Sequence, residues 1–253
     1  MRNGDSVEYA RWAPIYDRIA REFGFDLAHE RTAAEELRRL LPLRARSRPL
    51  QRLRPRLEGR DAIVVGQAPE AGPPPVWQLA VPDLRPAIVA ADGAAATCLA
   101  AHFIPDVIVT DLDGPGESEI TANHRGSFVV VHAHSDNRAA IAAWVSEFSG
   151  ELAGSWAGPP DPELIDVGGF TDGDRAAFLA EDRGARRILL WGFDFERVRE
   201  ATPAQEDRKR AKLGWAARAL TELARASPTP ILLWRRDGTL VPYDEGRSAK
   251  STR

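Results

Sequence analysis

Ala90-Ala91-Asp92-Gly93-Ala94 and, a little further on, Pro105-Asp106-Val107-Ile108-Val109-Thr110-Asp111-Leu112-Asp113-Gly114 are the stretches of this 253-residue chain that decide its fold. In each stretch an apolar run ends in acidic residues with glycine close behind. Short apolar runs of this kind predict buried parallel strands, here at residues 87–91 and 106–110. Open α/β sheets bind ligands at the carboxyl ends of their strands, so the acids are expected to converge there.

Three carboxylates are the candidate metal ligands: Asp92, Asp111 and Asp113. Asp111 and Asp113 are two residues apart and share a face on a strand, where such close like charges need a cation or a proton between them. Mg²⁺ is the expected ion, because it is bound through carboxylates together with substrate phosphates. Gly93 lets a ligand approach the backbone, and the helix predicted from Ala94 has an amino end that favours anions. The alternative is that Asp92 only caps this helix and the later acids belong to a turn.

Strand and helix signals alternate along the rest of the chain. Strands are predicted at 61–66, 87–91, 106–110, 127–131, 164–167, 187–191 and 230–234, and helices at 94–102, 136–148, 173–183 and 203–226. The alternation predicts an α/β fold with a mainly parallel sheet and helices on both faces.

Two amphipathic helices are predicted before the sheet, at 6–24 and 26–41. We therefore divide the chain into a helical amino-terminal segment (1–58), an α/β catalytic domain (59–241) and a disordered tail (242–253). The two amphipathic helices could also supply the interface of a homo-oligomer.

The composition argues against several classes of protein. A net charge of −3 is untypical of a nucleic-acid binder. Because no run of 18 apolar residues and no charged-then-apolar leader is visible, neither a signal peptide nor association with a membrane is expected. Cys98 is the single cysteine, which precludes an intramolecular disulfide and fits a cytoplasmic protein.

His132, His134 and Asp136 alternate after an apolar run and can share one face. Taken alone they suggest a zinc hydrolase, but Asn137 stands where such an enzyme would have another histidine. Two other interpretations stay open. Either Asp136 is a cap beside structural histidines, or the segment forms a further wall of the metal–phosphate site.

Gly168-Gly169-Phe170-Thr171-Asp172-Gly173-Asp174-Arg175 precedes and opens a predicted helix. Thr171 with Asp174 three residues later is a capping-box pattern, which leaves the paired glycines, Asp172 and Arg175 without an explanation. Glycine lets a flat or phosphorylated ligand approach the backbone, and Arg175 can neutralise phosphate.

Two further candidates have structural alternatives of their own. Asp194 follows a strand. It either contacts the polar edge of a ligand ring, joins the metal shell or forms a strand-end turn. Lys209 and Lys212 share one face of the helix predicted at 203–226 and contact either polyphosphate or solvent.

Taken together and in order, five motifs resemble the archaeal 6-hydroxymethyl-7,8-dihydropterin pyrophosphokinases. They are Asp92-Gly93-Ala94, Pro105-Asp106-x4-Thr110-Asp111-Leu112-Asp113-Gly114, Val131-His132-Ala133-His134-x-Asp136-Asn137, Gly168 to Arg175 and Gly192-Phe193-Asp194-Phe195. That family is distantly related to the thiamin pyrophosphokinases, whose Asp-Gly-Gly and Gly-Asp-x-Asp-Ser elements the first two motifs resemble. The likeness covers roughly residues 60–240.

The resemblance implies a thiamin-pyrophosphokinase-like catalytic fold, ATP as co-substrate and Mg²⁺. Diphosphate would pass from ATP to the hydroxymethyl group of the pterin, with release of AMP, in tetrahydromethanopterin or folate synthesis. Asp111 and Asp113 would hold Mg²⁺ with Asp92 beside them, and Asp136 would complete the shell or orient the hydroxyl. Arg175, Lys209 and Lys212 would balance the phosphate charge. The expected ligand contacts are Gly66, Asp92, Gly93, His132, His134, Asn137, Gly169, Phe170, Thr171, Asp172 and Asp194, with Asp172 or Asp194 and Phe170 on the pterin ring.

One loop departs from the family. Its members tend to have a Gly-x-Gly-Pro-Ser type loop after the first strand, where this chain has Gly66-Gln67-Ala68-Pro69-Glu70-Ala71-Gly72. Three rival functions stay open: a thiamin pyrophosphokinase, a metal-dependent hydrolase that uses His132, His134 and Asp136, and a nucleotide-binding regulator without turnover. The acidic-Thr-Asp motif usual in the first rival is absent after the strand at 127–131.

Overall fold

A computed structural model describes residues 7–68, 71–75, 85–114, 116–198 and 202–243 of the chain. Within these ranges nine strands form one sheet, in the order β6-β5-β4-β3-β2-β1-β7-β8-β9. The strands are β1 (Asp61–Val65), β2 (Ala87–Ala91), β3 (Val107–Thr110), β4 (Phe128–Ala133), β5 (Leu152–Trp156), β6 (Leu164–Ile165), β7 (Arg187–Trp191), β8 (Ile231–Trp234) and β9 (Leu240–Pro242). All neighbouring pairs are parallel except β8 and β9, so the predicted mainly parallel sheet is confirmed.

Helices connect the strands. They are α1 (Val7–Phe23), α2 (Leu27–Leu40), α3 (Leu43–Arg46), α4 (Pro49–Leu57), α5 (Ala94–Ala100), α6 (Glu117–His124), α7 (Arg138–Trp144), α8 (Asp172–Asp182) and α9 (Pro203–Ala226). Short 3₁₀ turns flank α7 on both sides. None of the described helices has the length and apolar character that crossing a bilayer requires.

Helices cover both faces of the sheet, as predicted. Successive residues of a strand point to opposite faces, so Ala62 and Val64 of β1 join one core cluster while Ile63 and Val65 join the other. The first cluster is closed by α1, α4, α8 and α9, and the second by α2, α3, α5, α6 and α7. Helices α1–α4 therefore pack on the sheet itself, although the predicted boundary at 58/59 falls between α4 and β1.

Helix α8 fixes the position of one important acid. It follows β6, contacts β1, β2, β3 and β7, and leads into the start of β7. A helix that connects parallel strands begins at the carboxyl edge of the sheet and returns to the amino edge. Its first residue, Asp172, therefore lies at the edge where β2 and β3 end.

Five elements were not predicted individually: α3, α4, α6, β5 and β9. The sequence of β5, Leu-Ala-Gly-Ser-Trp, contains residues that are unfavourable in strands. Packing explains the glycine, because a Cβ at Gly154 would lie within 3 Å of side-chain atoms of Leu164, Leu41 and Leu37. The strand forms because its backbone pairs with β4 and β6 under α2, a tertiary effect that local propensity does not show.

The predicted tail needs a correction at its start. Pro242 ends β9, and the backbone amide of Tyr243 donates to the carbonyl oxygen of Ile231 at 2.9 Å. Residues 242 and 243 thus belong to the edge of the sheet, while residues 244–253 lie outside the described residues, as do Pro69 and Glu70 of the loop after β1.

Candidate functional site

The carboxyl ends of β2 and β3 are tied together by Thr110. Asp92 follows β2 with a left-handed backbone (φ 46°), and its amide donates to the carbonyl oxygen of Val109 at 2.7 Å. The buried hydroxyl of Thr110 donates to Oδ1 of Asp92 and accepts from the amide of Leu112, each at 2.9 Å. Thr110 therefore sets the direction of the Asp92 carboxylate. Thr110 was not among the predicted site residues, because a threonine at the end of a strand is also an ordinary strand residue.

Asp92, Asp111 and Asp172 form a carboxylate cluster at this edge. One oxygen of each lies within 4.8 Å of one of each of the others, and all three are partly buried. Among the residues that the structure describes, no other group of three His, Cys, Asp or Glu side chains meets this criterion. Hard divalent cations such as Mg²⁺ prefer carboxylate oxygens, so the donor set fits such an ion.

The electrostatics of the cluster also fit a cation. Burial raises the pKa of Asp172 well above its ordinary value, and the charges of Asp111 and Asp92 raise it further. Burial likewise opposes the charge of Asp111, but the hydrogen bond and charge of His134, the amide of Asp113 and the charge of Lys212 together outweigh it and lower the pKa of Asp111. The acids thus repel one another where solvent is partly excluded, and a divalent cation would relieve that repulsion.

Asp113 lies beside the cluster. Its amide donates to Oδ1 of Asp111 at 3.1 Å, and its carboxyl is hydrogen bonded to that of Asp92. Desolvation and the charges of Asp111 and Asp92 raise the pKa of Asp113 to about 6, although part of the residue stays exposed. The structure therefore groups Asp172, predicted as a ring contact, with two of the predicted metal ligands, and places Asp113 next to the group.

His134 and Asn137 hold the end of β3 in place. Nε2 of His134 lies 3.2 Å from Oδ2 of Asp111. The side-chain amide of Asn137 donates to the carbonyl oxygens of Asp111 and His132, at 2.6 and 2.7 Å, while its oxygen accepts from the amide of His134 at 3.0 Å. Both polar atoms of the Asn137 side chain are thus engaged within the chain. The structure supports a positioning role for Asn137 instead of the predicted ligand contact.

The zinc arrangement of His132, His134 and Asp136 does not form. His132 is buried with Nδ1 3.1 Å from Oγ of Ser155, and burial lowers its pKa well below the ordinary value, so the ring is neutral. The carboxyl of Asp136 is 64% exposed and lies 3.9 Å from Arg208, so it is outside the carboxylate cluster. The prediction that Asp136 completes the metal shell is therefore not met by this geometry, because the 3₁₀ turn directs its side chain to solvent.

Arg175 is a buried cation without an ion-pair partner among the described residues. Only 3% of the residue is exposed. Its Nη2 donates to the carbonyl oxygen of Phe170 at 3.3 Å, and its Nε has no hydrogen-bond partner in the described structure. The charge of Arg175 lowers the pKa of Asp172, which places the guanidinium near the carboxylate cluster. A buried guanidinium with an unused donor is suited to bind an anionic ligand.

Packing within the chain accounts for two predicted glycine contacts. A Cβ at Gly169 (φ 86°) would lie 2.5 Å from Cα of Arg175, and one at Gly66 would lie 2.6 Å from the carbonyl oxygen of Gly192. Both glycines are required by the close approach of protein backbone, and no ligand need be invoked. Gly93 precedes α5, and a Cβ there would meet the movable end of Gln67.

The turn before α8 is a capping box, as predicted. Asp174 is fully buried and accepts from the amides of Phe170 and Thr171 at 2.6 and 2.8 Å. Thr171 therefore caps the helix instead of contacting a ligand. Phe170 packs against Phe23 and Phe25, with ring centroids 5.3 and 6.2 Å apart.

The remaining predicted residues differ in their proximity to the cluster. Asp194 accepts from the amides of Glu196 and Arg197 and from the Arg197 guanidinium, which is the strand-end turn alternative. Lys212 is half-buried on α9, and its charge lowers the pKa of both Asp111 and Asp113. Lys209 is exposed on the preceding turn of the helix.

Comparison with known proteins identifies the family. Residues 39–200 match the model described as 6-hydroxymethylpterin diphosphokinase MptE-like. The chain belongs to the MptE-like family. The resemblance deduced from the five motifs is thereby confirmed.

Three proteins named 6-hydroxymethyl-7,8-dihydropterin pyrophosphokinase are similar to this MptE-like protein. That of Methanothermobacter thermautotrophicus is 36% identical over 238 residues, which cover 90% of this chain and 100% of the relative. That of Pyrococcus furiosus is 37% identical over 85% of this chain and 93% of the relative, and that of Methanocaldococcus jannaschii is 35% identical over 75% and 80%.

Proposed function

We propose that this protein transfers diphosphate from ATP to 6-hydroxymethyl-7,8-dihydropterin in a Mg²⁺-dependent reaction that releases AMP. The observation that carries the proposal is the carboxylate cluster at the carboxyl edge of the sheet, in a chain whose relatives are named for this activity. The product would enter tetrahydromethanopterin or folate synthesis. The thiamin-pyrophosphokinase-like fold implied by the motifs stays a prediction.

The cluster would hold the metal. Asp92, Asp111 and Asp172 supply the carboxylates, and Asp113 stands beside them. When bound, Mg²⁺ would neutralise the phosphates of ATP and make the β-phosphorus more electrophilic. Thr110 and His134 keep Asp92 and Asp111 in position by the hydrogen bonds described above.

Positively charged side chains would stabilise the negative charge that develops on the phosphates during the reaction. The alcohol oxygen bonds to the β-phosphorus while the bond from that phosphorus to the oxygen shared with the α-phosphate breaks. AMP leaves with the electron pair, and the hydroxyl proton is lost to water. Arg175, buried with a free Nε donor, would stabilise the growing negative charge, and Lys212 near Asp111 and Asp113 would contact the polyphosphate.

The test is AMP formation from ATP with purified protein, with and without Mg²⁺. Parallel reactions contain 6-hydroxymethyl-7,8-dihydropterin, thiamin or no acceptor. We expect AMP only with the pterin and Mg²⁺. AMP formation with thiamin but not with the pterin would indicate a thiamin pyrophosphokinase. Phosphate release without any acceptor would indicate a hydrolase. Tight ATP binding with no AMP from either alcohol would indicate a regulator.

A further inference from the structure

A pocket opens between α1 and α2, beyond the carboxyl end of β5. Its walls include Trp12, Tyr16, Phe25, Glu30, Ala157 and Gly158. Helices α1 and α2 cover opposite faces of the sheet, so the pocket is formed where they meet around its edge strands. Three aromatic side chains make its wall flat and largely apolar, which suits a planar ring.

The polar groups of this pocket are few and unusual. Glu30 is only 2% exposed, and no ion pair with a described residue compensates its carboxylate. Its Oε1 accepts from the backbone amide of Ser135 at 3.2 Å. Trp12 is 4% exposed, and its indole Nε1 is buried without a hydrogen-bond partner in the described part of the chain. Buried polar groups are normally satisfied, so an unused donor beside a buried carboxylate points to a ligand that supplies the missing partners.

The hydroxyl of Tyr16 adds a third polar group. Burial raises the pKa of Tyr16, and the charge of Glu30 raises it further. The phenol therefore stays protonated and remains a donor. The pocket thus combines the buried carboxylate of Glu30 with two neutral donors, and the exposed carboxylate of Asp17 also lines it.

The pocket adjoins the carboxylate cluster through two consecutive residues. Ser135 donates its amide to Glu30, and His134 contacts Asp111. Arg175 is near both regions, because its charge lowers the pKa of both Tyr16 and Asp172. Trp12 also packs close to the loop before α8, since a Cβ at Gly168 would lie 3.3 Å from its Cδ2.

We propose that this pocket holds the pterin ring of the acceptor and that Glu30 recognises its 2-amino and N3–H edge. The assignment rests on the proposed function and names the residue that gives it specificity. The 2-amino group and N3–H of the pterin are adjacent donors that match the two oxygens of a carboxylate. The corresponding edge of adenine has one amino donor and the acceptor N1, which would face an oxygen of Glu30 without a hydrogen. The aromatic wall would stack on the ring, and Trp12 would donate to a ring acceptor.

This assignment changes the predicted ring contacts. Asp172 belongs to the carboxylate cluster, and Asp194 is engaged in its turn. Phe170 packs on Phe25 and so supports the wall of the pocket. Glu30 had no signal in the sequence, because an acid in an amphipathic helix is usually solvated.

The test is direct binding without ATP. The fluorescence of oxidised 6-hydroxymethylpterin is titrated with protein, and 6-hydroxymethyllumazine, which has a carbonyl in place of the 2-amino group, serves as the second ligand. For the wild type we expect a preference for the pterin of about tenfold or more. Glu30→Gln should weaken pterin binding about tenfold or more while lumazine binds as well or better, because the new amide can donate to its carbonyl.

The control is Glu35→Gln on the same helix, an acid that is half-exposed and pairs with Arg39. It should leave both affinities unchanged. Trp12→Phe, which keeps an aromatic ring and removes the N–H, is the second test variant and should weaken pterin binding several-fold.

Three results would overturn the assignment. The first is equal pterin affinity for Glu30→Gln and Glu35→Gln. The second is an equal loss of affinity for the pterin and for lumazine in Glu30→Gln. The third is that guanosine, which carries the same pair of donors, binds more tightly than the pterin. Failure of the proposed function would look different, because selective pterin binding would persist while the wild type made no AMP from the dihydropterin.

Discussion

The carboxylate of Asp172 at the start of α8 lies within 4.8 Å of that of Asp111 at the end of β3, although the two residues are far apart in the chain. Together with Asp92 they present three oxygen ligands at one edge of the sheet. Burial and mutual repulsion raise the pKa of Asp172, and a bound cation would relieve that repulsion, as the proposed function requires.

The first prediction concerns the metal ligands. Asp172→Asn should lower Mg²⁺-dependent AMP formation by about 10²–10³-fold and raise the Mg²⁺ concentration needed for half-maximal rate, because the proposed metal site would lose one of its three carboxylates. Asp113→Asn should have a smaller effect, since Asp113 lies beside the cluster. Rates measured over a Mg²⁺ series would show this order. The matched control is Glu222→Gln, an exposed acid on α9, which should behave as wild type.

The second prediction separates activity from stability at Arg175. Replacing it by methionine removes a buried charge that has no ion-pair partner among the described residues and keeps a side chain of similar length. The free energy of unfolding should stay level or rise by up to about 2 kcal/mol. AMP formation should fall by about 10²-fold or more. Urea denaturation and steady-state kinetics on the same preparation test both halves, and an active or strongly destabilised variant would contradict our view of Arg175.

The third prediction concerns Asn137. Its amide donates to two backbone carbonyls, those of Asp111 and His132. Asn137→Asp would set a carboxylate against both oxygens and should lower the free energy of unfolding by about 1–3 kcal/mol. Urea denaturation at neutral pH measures the loss. Asp136→Asn next to it, at an exposed side chain, should shift stability by no more than about 0.5 kcal/mol.

The fourth prediction compares two glycine-to-alanine changes. Gly154→Ala in β5 forces a methyl group against Leu164, Leu41 and Leu37 and should cost about 1–3 kcal/mol of stability. Gly214→Ala in α9 meets no atom within 4 Å and should add about 0.5–1 kcal/mol through helix propensity. Thermal or chemical denaturation gives both signs. A stable Gly154→Ala would show that α2 does not pack on β5 as described.

The fifth prediction concerns stability and pH. Burial raises the pKa of Asp61, but hydrogen bonds from Arg186 and Arg187 outweigh it and hold the pKa below its ordinary value. The folded pKa is the lower one. The stabilisation is therefore complete above the unfolded pKa of about 3.9 and is lost as the pH falls through the folded pKa.

Asp61→Asn should accordingly be less stable than wild type by about 1–3 kcal/mol at pH 7. The difference should shrink as the pH falls below about 4. Urea denaturation from pH 7 down to pH 3 measures both. The exposed Asp207→Asn serves as the control and should follow the wild-type curve, whereas a gap between wild type and Asp61→Asn that is constant with pH would contradict the ion-pair account.

The sequence by itself determined the fold class and the family. Strand and helix periods are local properties, so the parallel sheet, helix 203–226 and the acids at the ends of β2 and β3 could be predicted. Parallel strands end together, and this geometric rule was enough to bring Asp92 and Asp111 to one place.

Tertiary structure decided what local patterns cannot express. Asp172 joins the carboxylates because α8 begins at the carboxyl edge, and Glu30 reaches Ser135 across 105 positions because α2 packs beside the loop after β4. Strand β5 and the roles of Gly66 and Gly169 likewise depend on which surfaces meet. Contacts between segments that are distant in the chain depend on which faces of helices and sheet are buried against each other. Residue type and local spacing do not specify that pairing, so these contacts could not be predicted.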